Sequence, residues 1–185
     1  MNVAITGHTK GIGKAIHDLL EYEGHTVNGL SRSNYYDISA NDIINEIKYC
    51  DVFINNAYAP KYQTLILDTI LKEWKDKDKT VINIGSKLSF VNDAKNKKLN
   101  QYIKDKQEQN NICATHSLTA YPRVCNIILG LVDTEMSRVF KSDKKMSTKD
   151  IAKFVSNLLK EQSIWIQQVV LEAPGLDWKT VGIGD

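Results

Sequence analysis

The chain has 185 residues, with 24 basic against 22 acidic side chains and a formal charge of +2. That length suits one domain, spanning 1–185, with a single good core, and two domains would each be cramped. The near-balanced, interspersed charges disfavour nucleic acid as a partner, and no run approaches the ~18 apolar residues of a membrane helix.

In chain order, NVAIT (2–6) reads as a buried strand and 12–22 has helical spacing. HTVNGL (25–30) is the next strand, 40–48 a short helix and DVFI (51–54) a third strand. A helix over 62–75 leads through the solvated KDKDK loop (75–79) into the strand TVINI (80–84). A helix over 100–118, the strand RVCNII (123–128), a helix over 148–160 and the strand IQQVVL (166–171) complete the series. Strict alternation predicts a doubly wound parallel sheet with helices on both faces, because parallel neighbours need a crossover. Ligands of such sheets bind beyond the carboxyl ends of the strands. Those ends carry TG at 6–7, SRS at 31–33, NNA at 55–57, GS at 85–86 and GLVDT at 130–134.

TGHTKGIGKAI (6–16) leaves the first strand and enters the first helix. Gly7 permits a tight turn, Gly11 lets backbone amides approach a pyrophosphate, and Gly13 lets helix and sheet pack closely. The helix start then offers partial positive charge to phosphates. A Walker loop needs four residues between its glycines, then Lys and a hydroxyl. Here five separate Gly7 from Gly13 and Ala15 follows Lys14, so that reading fails. The odd, widely spaced Cys50, Cys113 and Cys125 fit neither a disulfide framework nor a metal pair, and a reducing cytoplasm is expected. His8 and His116 lack metal-ligand spacing, so no metal is expected.

With this Rossmann-type loop in place, the chain resembles the short-chain dehydrogenase/reductases. The matches run in family order: TGHTKGIG, Asp37-Ile38, NNA at 55–57, NIGS at 83–86, YIKDK at 102–106 and GLVDTEM at 130–136. A lone Y-x-x-x-K arises about once by chance in such a chain, but Tyr102 lies sixteen residues after Ser86, close to the family spacing. By resemblance Tyr102 is the general acid or base, Lys106 lowers its pKa and holds the nicotinamide ribose, and Ser86 binds the substrate oxygen. The resemblance also places the pyrophosphate over Gly7, Thr9, Lys10, Gly11, Ile12 and Gly13. Adenine falls beside Asp37 and Ile38, the adenosine ribose near Asn56 and Ala57, and the carboxamide at Val132 and Thr134. Ser31 stands where an acidic residue would select NAD(H), with Arg32 and Lys10 nearby, which favours NADP(H).

The implied activity is hydride transfer between NADP(H) and a small carbonyl or alcohol substrate. A non-catalytic NADP sensor or scaffold and an epimerase or dehydratase of the same family are the alternatives. Assembly into a homodimer or homotetramer is implied by the resemblance as well. Tyr58 departs from the family's glycine, and Leu129 from its proline before Gly130. The lid segment Met136 to Thr148 is short, and no counterpart of the family's tetrad asparagine is evident. Gln63 is a substitute for it only if it is not what its position suggests, an exposed residue at a helix start. Trp74, Trp165 and Trp178 read as packing or subunit-contact residues.

Overall fold

In the computed structural model, residues 1–31, 40–92, 94, 96–161 and 163–178 are described. Six strands, β1 (Asn2–Thr6), β2 (Thr26–Leu30), β3 (Val52–Asn55), β4 (Thr80–Ser86), β5 (Arg123–Leu129) and β6 (Gln168–Leu171), form one sheet in the order β2-β1-β3-β4-β5-β6. Every pairing is parallel. The crossovers are α1 (Gly11–Tyr22), α2 (Ala40–Ile47), α3 (Tyr62–Glu73), α4 (Lys97–His116) and α5 (Thr148–Lys160). The predicted Rossmann-type α/β architecture therefore holds, with element ends shifted by at most three residues. Order reverses between β1 and β3, so the ligand crevice of such a sheet opens above those two strands.

The two-residue period of the strands sorts side chains onto two faces. Val3, Ile5, Ile54, Ile82 and Ile127 meet Ile16 and Leu20 of α1 and Ile151 and Val155 of α5. Ala4, Phe53, Val81 and Val124 meet Ile66, Leu67 and Ile70 of α3, Trp74 at its C-cap and Cys113 of α4. Each fully buried Leu or Ile contributes about 1.5–3 kcal/mol. On α1 the spacing of Gly13, Ile16 and Leu20 puts all three against the sheet, and all are buried.

α4 differs. Its buried residues are Ile103, Asp105, Lys106, Gln109 and Cys113, three of five polar or charged. Asn96 caps it, its Oδ1 accepting from the amides of Lys98 at 2.9 Å and Leu99 at 3.2 Å. On the same helix, Asn110 meets a row of amides on the sheet. Strand register aligns Asn55, Asn83 and Asn126 across β3, β4 and β5, and all three are fully buried. Asn55 Nδ2 donates to Asn83 Oδ1 at 2.9 Å, Asn83 Nδ2 to Asn126 Oδ1 at 2.9 Å, and Asn126 Nδ2 to Asn110 Oδ1 of α4 at 2.8 Å. Asn110 Nδ2 ends the row on Ser89 Oγ at 2.7 Å.

Candidate active site

The glycine loop is built by steric necessity. Gly7 and Gly11 have φ of +74° and +58°, and a Cβ on Gly13 would lie 2.2 Å from the Gly7 carbonyl oxygen. Asn56 of the NNA motif holds the loop against β3, its Nδ2 donating to Thr6 O at 2.9 Å. The Thr6 hydroxyl accepts from the amides of Asn56 at 2.9 Å and Ala57 at 3.0 Å. No side chain caps the start of α1 and no acid stands in its first turn. Its orphan amides and positive helix end therefore suit an anion, so the loop fits the pyrophosphate of a dinucleotide.

Thr134 faces Gly11 across the crevice, its Cγ2 lying 3.6 Å from where a Gly11 Cβ would be. A groove of about 650 Å³ opens beside this junction between α1 and α5, with Gly11, Thr134, Arg138 and Lys153 among its lining. Val132 bridges to Met146, which ties the segment after β5 back to the strand end. Lys10 pairs with Glu135 at 2.8 Å across the mouth, both side chains well exposed. Such a pair is worth at most about 1 kcal/mol and leaves the lysine able to turn to another anion. Ser31 lies at the end of β2 and is half-buried. Arg32, Asp37 and Ile38 lie outside the described residues.

Ser86, Tyr102 and Lys106 meet at the same sheet edge. Ser86 closes β4 and its Oγ accepts from the Leu88 amide at 3.3 Å. Tyr102 is half-buried on α4. Burial pushes its phenol up from the ordinary value, against a hydrogen bond from Ser86 that pulls it down. This direction is opposite to the lowering expected from the lysine, and burial is its largest cause. Lys106 Nζ sits 5.6 Å from the Tyr102 ring centroid. Burial drives the Lys106 amine down to about 7, against the nearby Asp105 charge that raises it.

Gln63 corrects the sequence reading. It has no solvent exposure, and its Oε1 accepts from Lys106 Nζ at 2.7 Å. A polar residue in the first turn of a helix suggests exposure by composition, but this turn is packed beneath the carboxyl ends of β3 and β4. Tyr58, in place of the family's glycine, meets Tyr102 edge-on with ring centroids 4.6 Å apart. Its hydroxyl donates to Asp105 Oδ2 at 3.0 Å. Asp105 is another residue missed from sequence; it is 2% exposed and also accepts from Gln101 Nε2 at 2.6 Å and the Lys61 amide at 3.0 Å. Lys61 has a left-handed φ of 61°, a strained conformation that this hydrogen bond helps to hold.

Past Ser86, Lys87 pairs with Glu172 at the end of β6, and Glu172 also accepts from the Trp178 indole N–H. Trp178 therefore packs at the carboxyl edge of the sheet. Trp74 is buried in the core, and Trp165 donates to Val124 O at 2.9 Å. Among the described residues no cluster of potential ligands could hold a metal ion, and no helix is long and apolar enough to cross a membrane.

No family model and no curated protein matches the chain. Solved structures do. The 3-alpha-hydroxysteroid dehydrogenase from Pseudomonas sp. B-0831 complexed with NADH is 17% identical, with 92% of this chain and 94% of that one covered at a TM-score of 0.72. An alcohol dehydrogenase from the archaeon Thermococcus sibiricus, complexed with 5-hydroxy-NADP, is also 17% identical, with 96% and 98% covered at 0.68. A 4-hydroxyisoleucine dehydrogenase complexed with NADH is 15% identical, with 93% and 97% covered at 0.74. The fold is that of the short-chain dehydrogenases.

Proposed function

We propose that the chain is an NADP(H)-dependent oxidoreductase of the carbonyl reductase or alcohol dehydrogenase type. The observation that carries this reading is the meeting of Ser86 from β4 with Tyr102 and Lys106 from α4, at the sheet edge that also holds the glycine loop. The bound nicotinamide would supply or accept the hydride. The chain's own residues bind and orient. The loop Gly7 to Gly13, with Thr9 and Ile12, holds the pyrophosphate, Asn56 and Ala57 lie at the adenosine ribose, and Asp37 and Ile38 at the adenine. Val132 and Thr134 hold the carboxamide.

Ser86 donates to the substrate oxygen and Tyr102 passes it a proton. That phenol is protonated at neutral pH even at its ordinary value, so the proton is present when the carbonyl oxygen gains charge. Solved structures of this fold bind both NADH and an NADP analogue, so the NADP preference rests on Lys10, Ser31 and Arg32. Assembly as a homodimer or homotetramer through α4 belongs to the same proposal.

A sensor of the NADP redox state is the second reading, favoured by the closure of Tyr58 over the lysine. Fluorescence titration with NADPH and NADH, followed by NADPH oxidation against aldehydes, ketones, pterins and keto-sugars, separates the two. We expect NADPH to bind about tenfold tighter, the worth of one charge-assisted contact, and at least one carbonyl to be reduced. Binding without turnover across the panel would favour the sensor, and binding of neither dinucleotide would overturn both.

A further inference from the structure

An ion pair stands on the far side of Ser86 from the glycine loop. Strand register pairs Ser86 with Leu129 and Leu129 with Leu171, so Lys87, Gly130 and Glu172, each one residue further on, form a row across the carboxyl ends of β4, β5 and β6. Lys87 and Glu172 join across the middle of that row. Gly130 makes the crossing possible. A Cβ there would lie 2.9 Å from Glu172 Oε1 and 3.2 Å from its Cγ, so any side chain would push the glutamate off the strand end.

Trp178 fixes the pair from a third side. Its indole N–H donates to Glu172 Oε1, and its ring centroid lies 5.6 Å from Lys87 Nζ. The side chains of Lys87 and Glu172 are 29% and 24% exposed, half-buried yet open to a ligand. Among the hydrogen bonds of the described residues, Lys87 Nζ meets the single acceptor Glu172, so the remaining ammonium protons are available to a bound molecule. The carboxylate likewise has lone pairs to spare after two donors.

The dinucleotide crevice lies above β1 and β3 and Ser86 ends β4, so a carbonyl compound seated at Ser86 has β5 and β6 to extend over. There it meets a fixed donor and a fixed acceptor of opposite charge. A carboxylate on the substrate would be drawn to Lys87 and repelled by Glu172, and an amine the reverse. A hydroxyl both donates and accepts, and adjacent hydroxyls can take the two partners together without stranding either charge.

We propose that Lys87 and Glu172 are specificity-determining residues that select an uncharged carbonyl substrate with hydroxyl groups next to the carbonyl, a hydroxyketone or ketose. The inference rests on the reading of the chain as a carbonyl reductase with Ser86 at the substrate oxygen, and it names the substrate class which that reading leaves open. Because Lys87 and Glu172 satisfy each other when no hydroxyl is present, the selection is moderate; a buried group left unpaired would discriminate far more strongly.

Steady-state NADPH oxidation with matched ketones tests it: dihydroxyacetone against acetone, and erythrulose against butanone. In the wild type, kcat/KM should favour the hydroxylated member of each pair by about tenfold or more, the worth of one or two hydrogen bonds. Lys87→Met and Glu172→Gln should each bring that ratio to within about threefold of unity by raising KM for the hydroxylated ketone, while KM for the plain one stays nearly unaltered. The wild-type ratio needs no variant, and urea midpoints check that both variants fold. Equal use of the two members by the wild type, or a preference that survives in both folded variants, would overturn the proposal. So would a wild type that prefers levulinate to its methyl ester, which would give Lys87 to a carboxylate. Reduction of plain ketones alone sinks the substrate class and leaves the oxidoreductase reading standing, whereas NADPH binding with no carbonyl reduced removes both.

Discussion

The two faces of the sheet are held by different physics. Under α1 and α5 the contact is apolar throughout, with Ile16, Leu20, Ile151 and Val155 against Val3, Ile5 and Ile127. Under α3 and α4 only the half toward the amino ends of the strands is apolar. Toward the carboxyl ends, Asn55, Asn83, Asn126, Gln63, Gln109 and Lys106 replace it, all of them buried. Apolar packing stabilises by area and tolerates small slips, whereas a chain of amides has one register in which every donor meets an acceptor. The face that carries Tyr102 is the one keyed by directional bonds.

Variants on each side sharpen that contrast. The largest expected effect is on chemistry: Tyr102→Phe should lower turnover by roughly 10²–10⁴-fold while NADPH affinity changes little. Full retention of activity would remove Tyr102 from the mechanism. Next, Ile16→Ala on the apolar face should destabilise by about 2–5 kcal/mol in urea unfolding, through lost burial and a cavity. Its kcat should be nearly unaltered at temperatures where it stays folded.

Asn83→Leu should destabilise somewhat less, by about 2–3 kcal/mol, because it strands the Asn55 donor and the Asn126 acceptor. Unlike Ile16→Ala it should also lower kcat, since Asn126 and Asn110 pass the register on to α4. If the two variants affected kcat alike, the distinction between the faces would fail.

A smaller effect is the pH dependence of stability. With Lys106 held down to about 7 in the folded chain, the unfolded chain binds the extra proton between that pH and the ordinary lysine range. Stability from this group therefore rises with pH across that window. Cys113 and Cys125 are pushed up to about 12 by burial, so above about pH 9 the unfolded thiols ionise first and the slope reverses. Urea midpoints measured across this range should show a maximum in mildly alkaline solution, and Lys106→Met should lose the rise while keeping the fall. The smallest effect is on the exposed rim. Lys10→Ala should leave stability within about 0.5 kcal/mol yet narrow the ratio of NADPH to NADH affinity; an unchanged ratio would take Lys10 out of cofactor choice.

Much of the fold was legible because strand and helix periods are local. The β-branched runs NVAIT and TVINI, and the spacing of Ile16 and Leu20, report their own burial without reference to partners. The glycine loop was equally plain, since Gly7 and Gly13 are demanded by backbone geometry within eight residues of chain. Gln63 and Asp105 were not legible, because polar residues on a helix read as solvent-facing unless their partners are known. One signal was available: Asn83 and Asn126 each sit two residues inside an otherwise apolar run, where an amide is out of place unless paired.

The sequence by itself determined the parallel αβ alternation, the glycine loop and the candidate trio Ser86, Tyr102 and Lys106, because each depends on residue type and spacing along a short stretch. Tertiary structure alone decided that the Lys106 ammonium faces Gln63, Ile84 and Gln109 beneath two tyrosine rings, because a buried cation takes its direction from acceptors that folding gathers from separate elements of the chain.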